Sequence, residues 1–331
     1  MWGRLAAVFS LFVLSPLIAE YLLGSLPMSM IVILPLMAAM YGSGAIIIRE
    51  LVHRSGRGWP TLILLATAYG FIEEGFITQS LFNPNYLHLR LLDFGFVPAL
   101  GTGVPWLLFV VSIHAVWSIS VPIGLTESLF PRRRGTAWLG NIGMAAFVLV
   151  FLAGSALVAT FSYRQVPFLA TPAQFGATAA VVAILVLAAF LWPKKTEPGK
   201  GAAPHPVILL ATGLAGGSAL MLIQHMGAAQ WHWSWPVCVM AAVAVEAAFI
   251  AFMALFTRGR TWTGLQRWAL MAGGLGTYVW AGFGTDASLH GEADIAAHGV
   301  IAAVFVLIAL FAGWRAWRTP TGEQGISLGN P

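Results

Sequence analysis

The amino-acid sequence predicts an all-α polytopic transmembrane helical bundle of about ten helices, with N-terminus and C-terminus both on the cytoplasmic side. Three observations carry that prediction. Of 331 residues, 59% are hydrophobic and 9% charged, with a mean hydropathy of +0.82; soluble domains carry about 25% charged residues. The apolar residues gather in runs of about 20, the length at which a helix crosses a bilayer. The basic residues alternate from loop to loop, as the positive-inside rule requires.

The first run, 5–23, contains Pro16 and Glu20 and has no small-residue cleavage site, so it reads as a retained helix. The runs at 27–48, 60–82, 105–129, 138–162 and 174–192 follow. After the polar linker 193–205 come 206–225, 236–257, 268–285 and 294–314. This gives one transmembrane domain, 1–315, and a cytoplasmic tail, 316–331. No run is left over for a soluble domain.

Of 17 Lys and Arg residues, all but Arg90 and Arg164 fall on one side, from Arg4 and Arg49 through Arg132, Arg133, Arg134, Lys194 and Arg267 to Arg318. That side is therefore cytoplasmic, and the chain is expected to be a multi-pass protein of the cell membrane. The formal charge of +5 is spent on these topology signals, so lipid is the expected partner and nucleic acid is not. A lone Cys238 excludes an intramolecular disulfide or a cysteine metal cluster and reads as a small core residue. Tryptophans at 231–235 and 314–317 suit the headgroup level. The outer segment 83–104 mixes leucines with polar residues and is expected to lie in the interface or fold back over the bundle. Gly-rich stretches at 214–218 and 272–276 permit close helix contacts.

An ionised side chain at bilayer depth costs about 2.5–3.5 kcal/mol, so intramembrane polar residues mark candidate sites. Glu20, Glu73, Glu74, His114 and Glu246 stand out, with His298 near the outer end of the last run. Glu73 and Glu74 are adjacent, hence about 100° apart on an α-helix and not on one narrow face. Glu74 shares its stripe with Thr67, Gly70 and Thr78; Glu73 shares its own with Tyr69, Phe76 and Ser80. Counted from the outer loop, Glu73 and His114 lie at one depth in antiparallel neighbours, with Ser118 one turn deeper than His114. Carboxylates meeting an imidazole suit a divalent metal such as zinc, or a general base holding a water. His290 and Asp294 have i,i+4 spacing, continued by His298, and are weaker candidates for metal or proton handling. Arg49, Glu50 and Glu127, near cytoplasmic ends, read as snorkelling anchors.

A Glu-Glu pair in one span followed by an intramembrane His in the next resembles the CAAX protease and bacteriocin-processing family over residues 60–130. That family shows Glu-Glu-x3-Arg, Phe-x3-His and His-x3-Asn/Asp; here Thr78 stands at the Arg position, Val110 at the Phe position, and His290-x3-Asp294 is the best third motif. The resemblance implies an intramembrane metalloprotease in which Glu73 is the general base, Glu74 and His114 hold water or metal, and His290 and Asp294 complete the ligands. Its substrate would be a membrane-embedded peptide or small molecule. Two other readings stand beside it: a proton-coupled secondary transporter using Glu20, Glu73, Glu74, His114 and Glu246, and a non-catalytic membrane scaffold.

Overall fold

The computed structural model describes residues 2–194, 201–291 and 294–319; residues 195–200 of the linker and 320–331 of the tail lie outside the described residues. The described residues form ten long helices. They are α1 Gly3–Leu22, α2 Met28–Arg54, α3 Trp59–Ile77, α4 Val104–Leu129, α5 Asn141–Gln165, α6 Pro172–Leu191, α7 Pro206–Met226, α8 Trp235–Thr257, α9 Gly264–His290 and α10 Ile295–Arg318. All but α9 are long and apolar enough to cross a membrane. The 27-residue α9 carries Arg267 and Asp286 yet packs inside the bundle through Leu275 and Tyr278. The chain is thus a polytopic helical membrane protein.

Local chemistry explains the helix starts. Pro60, Pro105, Pro172, Pro206 and Pro236 occupy first turns, where a missing N–H costs nothing. Thr171 with Gln174, and Thr263 with Gln266, form capping boxes at α6 and α9. Arg57 donates to the Trp192 carbonyl at 2.6 Å and also to that of Phe190, so one of the basic topology signals also caps the C-terminal end of α6.

Helices α1 to α4 are the most buried, while α5, α6 and α8 present mostly apolar residues outward. A core running from Leu14 and Ile18 through Trp117 to Tyr278 and Phe305 joins α1 and α4 to α9 and α10. A second, from Leu11 and Ile46 to Tyr69 and Ile119, joins α1 to α4 on the other side. Gly213 and Gly273 bring α7 against α9: a Cβ on Gly273 would meet the Leu210 carbonyl at 2.1 Å, and one on Gly213 the Leu270 carbonyl at 2.6 Å.

Each of the four inner helices widens to a π-helix over one short stretch: Leu17–Leu22, Ala38–Gly42, Glu73–Ile77 and His114–Ser120. There the amide bonds five residues back, as Thr78 N–H does to the Glu73 carbonyl at 2.8 Å. Prolines flank two of these stretches. Pro122 has no N–H for the Ser118 carbonyl, which takes the Ser15 hydroxyl at 2.7 Å instead. Pro16 likewise leaves the Phe12 carbonyl to pack on Gly42 of α2.

The span expected to reach residue 82 stops at Ile77. Gln79 adopts a φ of 57°, which turns the chain back, and its Oε1 takes the Ala170 amide at 2.7 Å. The outer segment then folds over the bundle. Asn83, Leu92 and Thr102 are buried, Leu87, Leu89, Phe94 and Phe96 face outward, and a two-stranded ribbon, β1 Phe96–Val97 and β2 Thr102–Gly103, closes it.

Candidate functional site: a buried Glu-Glu-His centre

Glu73 and Glu74 begin the π-helical stretch of α3, and His114 begins that of α4. Gly70 allows the approach, because a Cβ there would meet the His114 Cβ at 3.2 Å. All three side chains are buried. His114 Nε2 lies 2.7 Å from Glu74 Oε1, and Nδ1 lies 3.3 Å from Glu73 Oε2 and 3.0 Å from Ser118 Oγ. The two glutamates leave the helix in different directions and still reach one ring, because an imidazole offers a nitrogen on each edge and lies between both carboxylates.

The two carboxylates are not equivalent. Glu74 is the better satisfied of the two: Thr78 Oγ1 donates to its Oε2 at 2.9 Å, Ser80 Oγ donates to the same oxygen, and His114 meets Oε1. Trp106 Nε1 in turn donates to Ser80 Oγ at 3.1 Å. Glu73 Oε2 has no hydrogen-bond partner among the described residues beyond its 3.3 Å approach to His114 Nδ1. The ligand atoms of Glu73, Glu74 and His114 lie within 4.8 Å of one another. Tyr41 stacks on His114 with ring centroids 5.9 Å apart, and Tyr69 meets the same ring edge-on at 6.3 Å. Tyr41 Oη donates to Glu20 Oε1, and Ser25 Oγ donates to Glu20 Oε2 at 2.6 Å, so the fourth π-helical stretch also carries a polar group to this region.

Other candidates lie elsewhere. Glu246 Oε1 accepts from Ser112 Oγ at 2.5 Å and lines a small cleft of about 20 Å³ between α4, α7 and α8. His290 and Asp294 are not brought to the centre. His290 Nε2 lies 3.2 Å from the Ser25 carbonyl, and Asp294 Oδ2 accepts the Met28 amide at 2.7 Å, so both hold the turn between α1 and α2. Near them Asp286 and His298 are buried, with both Asp286 oxygens and His298 Nε2 lacking hydrogen-bond partners among the described residues. Sequence reasoning passed over Asp286, although its i,i+4 spacing to His290 was there to be seen.

Arg49, Glu50 and Glu127 are corrected too, for all three are buried rather than snorkelling. Arg49 Nε meets Glu127 Oε1 at 2.9 Å, its Nη2 donates to the Arg134 carbonyl at 3.0 Å, and its guanidinium lies 3.3 Å from the centroid of the Trp138 ring. Glu50 accepts the amides of Trp138 at 2.7 Å and Leu139 at 3.1 Å. The loop after α4 folds onto the helix ends and takes these charges out of water.

Fold and centre together define a polytopic helical membrane protein with a closed cluster of titratable groups among its inner helices. Residues 9–223 match the model of an uncharacterized membrane protein family, and the chain belongs to that family. No curated protein and no solved structure matches it. The match overturns the resemblance to the CAAX protease and bacteriocin-processing family, since it takes in Glu73, Glu74 and His114 and assigns them to a different family. A Glu-Glu pair and a His forty residues on are too short a motif to carry a family across an apolar sequence.

Proposed function

We propose that the protein is a membrane-embedded hydrolase whose Glu73–Glu74–His114 centre holds a divalent cation, zinc by its donor set, and activates water against a membrane-borne substrate. The observation that carries this is Glu73 Oε2, buried without a hydrogen bond among the described residues, beside the better-satisfied Glu74 and 3.3 Å from His114 Nδ1. A buried carboxylate oxygen without a partner is costly unless a cation or water completes it. Glu74 and His114 suit the ligand role, and Glu73, with its free oxygen, suits the base. A divalent ion there would supply Lewis-acid polarisation and a water acidic enough to ionise near neutral pH. Thr78 and Ser80 fix Glu74, Ser118 fixes the imidazole, and the folded-back outer segment limits bulk water.

The separation of Glu246 from the centre favours local chemistry over a relay distributed through the membrane. The proton-coupled carrier keeps one supporting observation, the Ser25–Glu20–Tyr41 chain leading from the outer end of α1 toward His114.

The test combines metal analysis of the detergent-purified protein with incorporation of ¹⁸O from labelled water into products of a membrane extract. Wild type is expected to carry one divalent ion per chain and to incorporate label. Glu74→Gln and His114→Ala lose both, whereas Glu73→Gln keeps the metal and loses at least about a hundredfold in label, the usual scale for a general base. Glu246→Gln is expected to behave as wild type. Label incorporation by Glu73→Gln equal to wild type would refute the hydrolase, and loss with Glu246→Gln as severe as with Glu73→Gln would favour the carrier.

A further inference from the structure

Arg134 and Arg267 lie on the basic side of the bundle, beside the first turn of α9. Arg134, in the loop after α4, is nine-tenths buried, and its Nη2 is enclosed with no hydrogen-bond partner among the described residues. Arg267, in the first turn of α9, has an Nε that is likewise enclosed and unpartnered. The two guanidiniums act on each other electrostatically, and both feel Glu127. Glu127 is already engaged: its Oε1 serves Arg49 at 2.9 Å and His53 at 2.9 Å. Neither Arg134 nor Arg267 has a carboxylate within ion-pair distance among the described residues. Burial also holds the Arg134 guanidinium below its usual range.

Two like charges brought together out of water are unfavourable unless an anion sits with them. The surroundings suit one. A Cβ on Gly264, the first residue of α9, would lie 3.6 Å from Arg134 Nη1, which places that guanidinium at the positive end of the helix dipole. Thr263 caps the amide of Gln266 at 3.1 Å, and the amides before it at a helix start have no intrahelical partner. Arg267 also lies over the Trp262 ring at 5.9 Å, at the level where indoles meet headgroups.

We infer that Arg134, Arg267 and the N-terminus of α9 form a binding site for a phosphate-class oxyanion, separate from the Glu-Glu-His centre. The two planar forks match the tetrahedral oxygens of a phosphoryl group, which accepts several charge-assisted bonds at once. The group can come from an anionic phospholipid of the adjacent leaflet or from free phosphate, and the chemistry at the arginines is the same.

The experiment follows thermal unfolding of the detergent-purified full chain against inorganic phosphate and, in nanodiscs, against phosphatidylglycerol compared with phosphatidylcholine, with chloride at matched ionic strength as control. Wild type is expected to be stabilised by one of the anionic probes. Arg134→Gln and Arg267→Gln should each weaken that effect about tenfold in apparent affinity, and Arg267→Lys, which keeps the charge and loses the fork, should weaken it less. Stabilisation by phosphatidylglycerol without phosphate assigns a lipid headgroup; stabilisation by phosphate assigns a free anion. Absence of stabilisation of wild type by either probe overturns the inference, whether or not the variants fold. So does an effect that Arg267→Gln leaves unchanged.

Discussion

Arg49 is the residue on which the basic end of the bundle depends. Its guanidinium neutralises Glu127 and Glu50, donates to three carbonyls of the loop after α4 and stacks on Trp138. Removing one partner of a buried ion pair leaves the other charge uncompensated, at about 3–5 kcal/mol. Arg49→Ala is therefore expected to lower the unfolding temperature in detergent far more than Arg54→Ala, whose side chain is partly exposed. Equal effects from the two would show that the network contributes little. This role was illegible in the sequence, because the groups that bury Arg49 lie more than eighty residues away and an Arg near a span end has the same local context whether covered or bare. Glu73, Glu74 and His114 were legible for the opposite reason: each interrupts an apolar run, where a charged group needs a cause.

Between helices, glycine decides how closely backbones approach, and its effect changes sign with the neighbourhood. Glycine inside a helix ordinarily costs about 0.5–1 kcal/mol relative to alanine. Gly176 of α6 has open space where its Cβ would be, so Gly176→Ala is expected to raise the unfolding temperature slightly. At Gly273 a Cβ would collide with the Leu210 backbone, so Gly273→Ala is expected to destabilise by about 1–3 kcal/mol as α7 is pushed from α9. A stabilised Gly273→Ala protein would mean that the two helices do not pack this way. The paired glycines near 214–218 and 272–276 announced a close contact before the structure located it. The π-helical stretches gave no such notice. Periodicity assumes one rise and one rotation per residue, so a local widening disappears into the error of the helical wheel.

At the scale of the whole molecule, the ten helices of the described residues agree in number and order with the apolar runs; length and hydropathy define nine of them as spans, and α9 is the tenth helix, packed inside the bundle. The orientation rests on the basic residues. Reporters fused in 130–137 and 258–267 are expected to read cytoplasm, and those in 83–104, 163–173 and 226–235 the opposite side. One inverted loop would break the assignment. The layering of helices was beyond the sequence, since α1 and α8 are similarly apolar yet one is enclosed and the other faces outward.

The chain order of the centre bears on how the protein is made. Glu73, Glu74 and His114 come from consecutive helices, while α9, which walls α1 and α4 through Trp117, Tyr278 and Gly282, emerges some 150 residues later. At about 5–20 residues per second, the ribosome leaves the half-made centre in the membrane for roughly ten to thirty seconds without that wall. During this interval the α3–α4 hairpin must satisfy its own polar groups. The contacts of His114 with both glutamates, and of Thr78 and Ser80 with Glu74, are all internal to the hairpin, so the nascent segment carries most of the partners it needs before the rest of the protein exists.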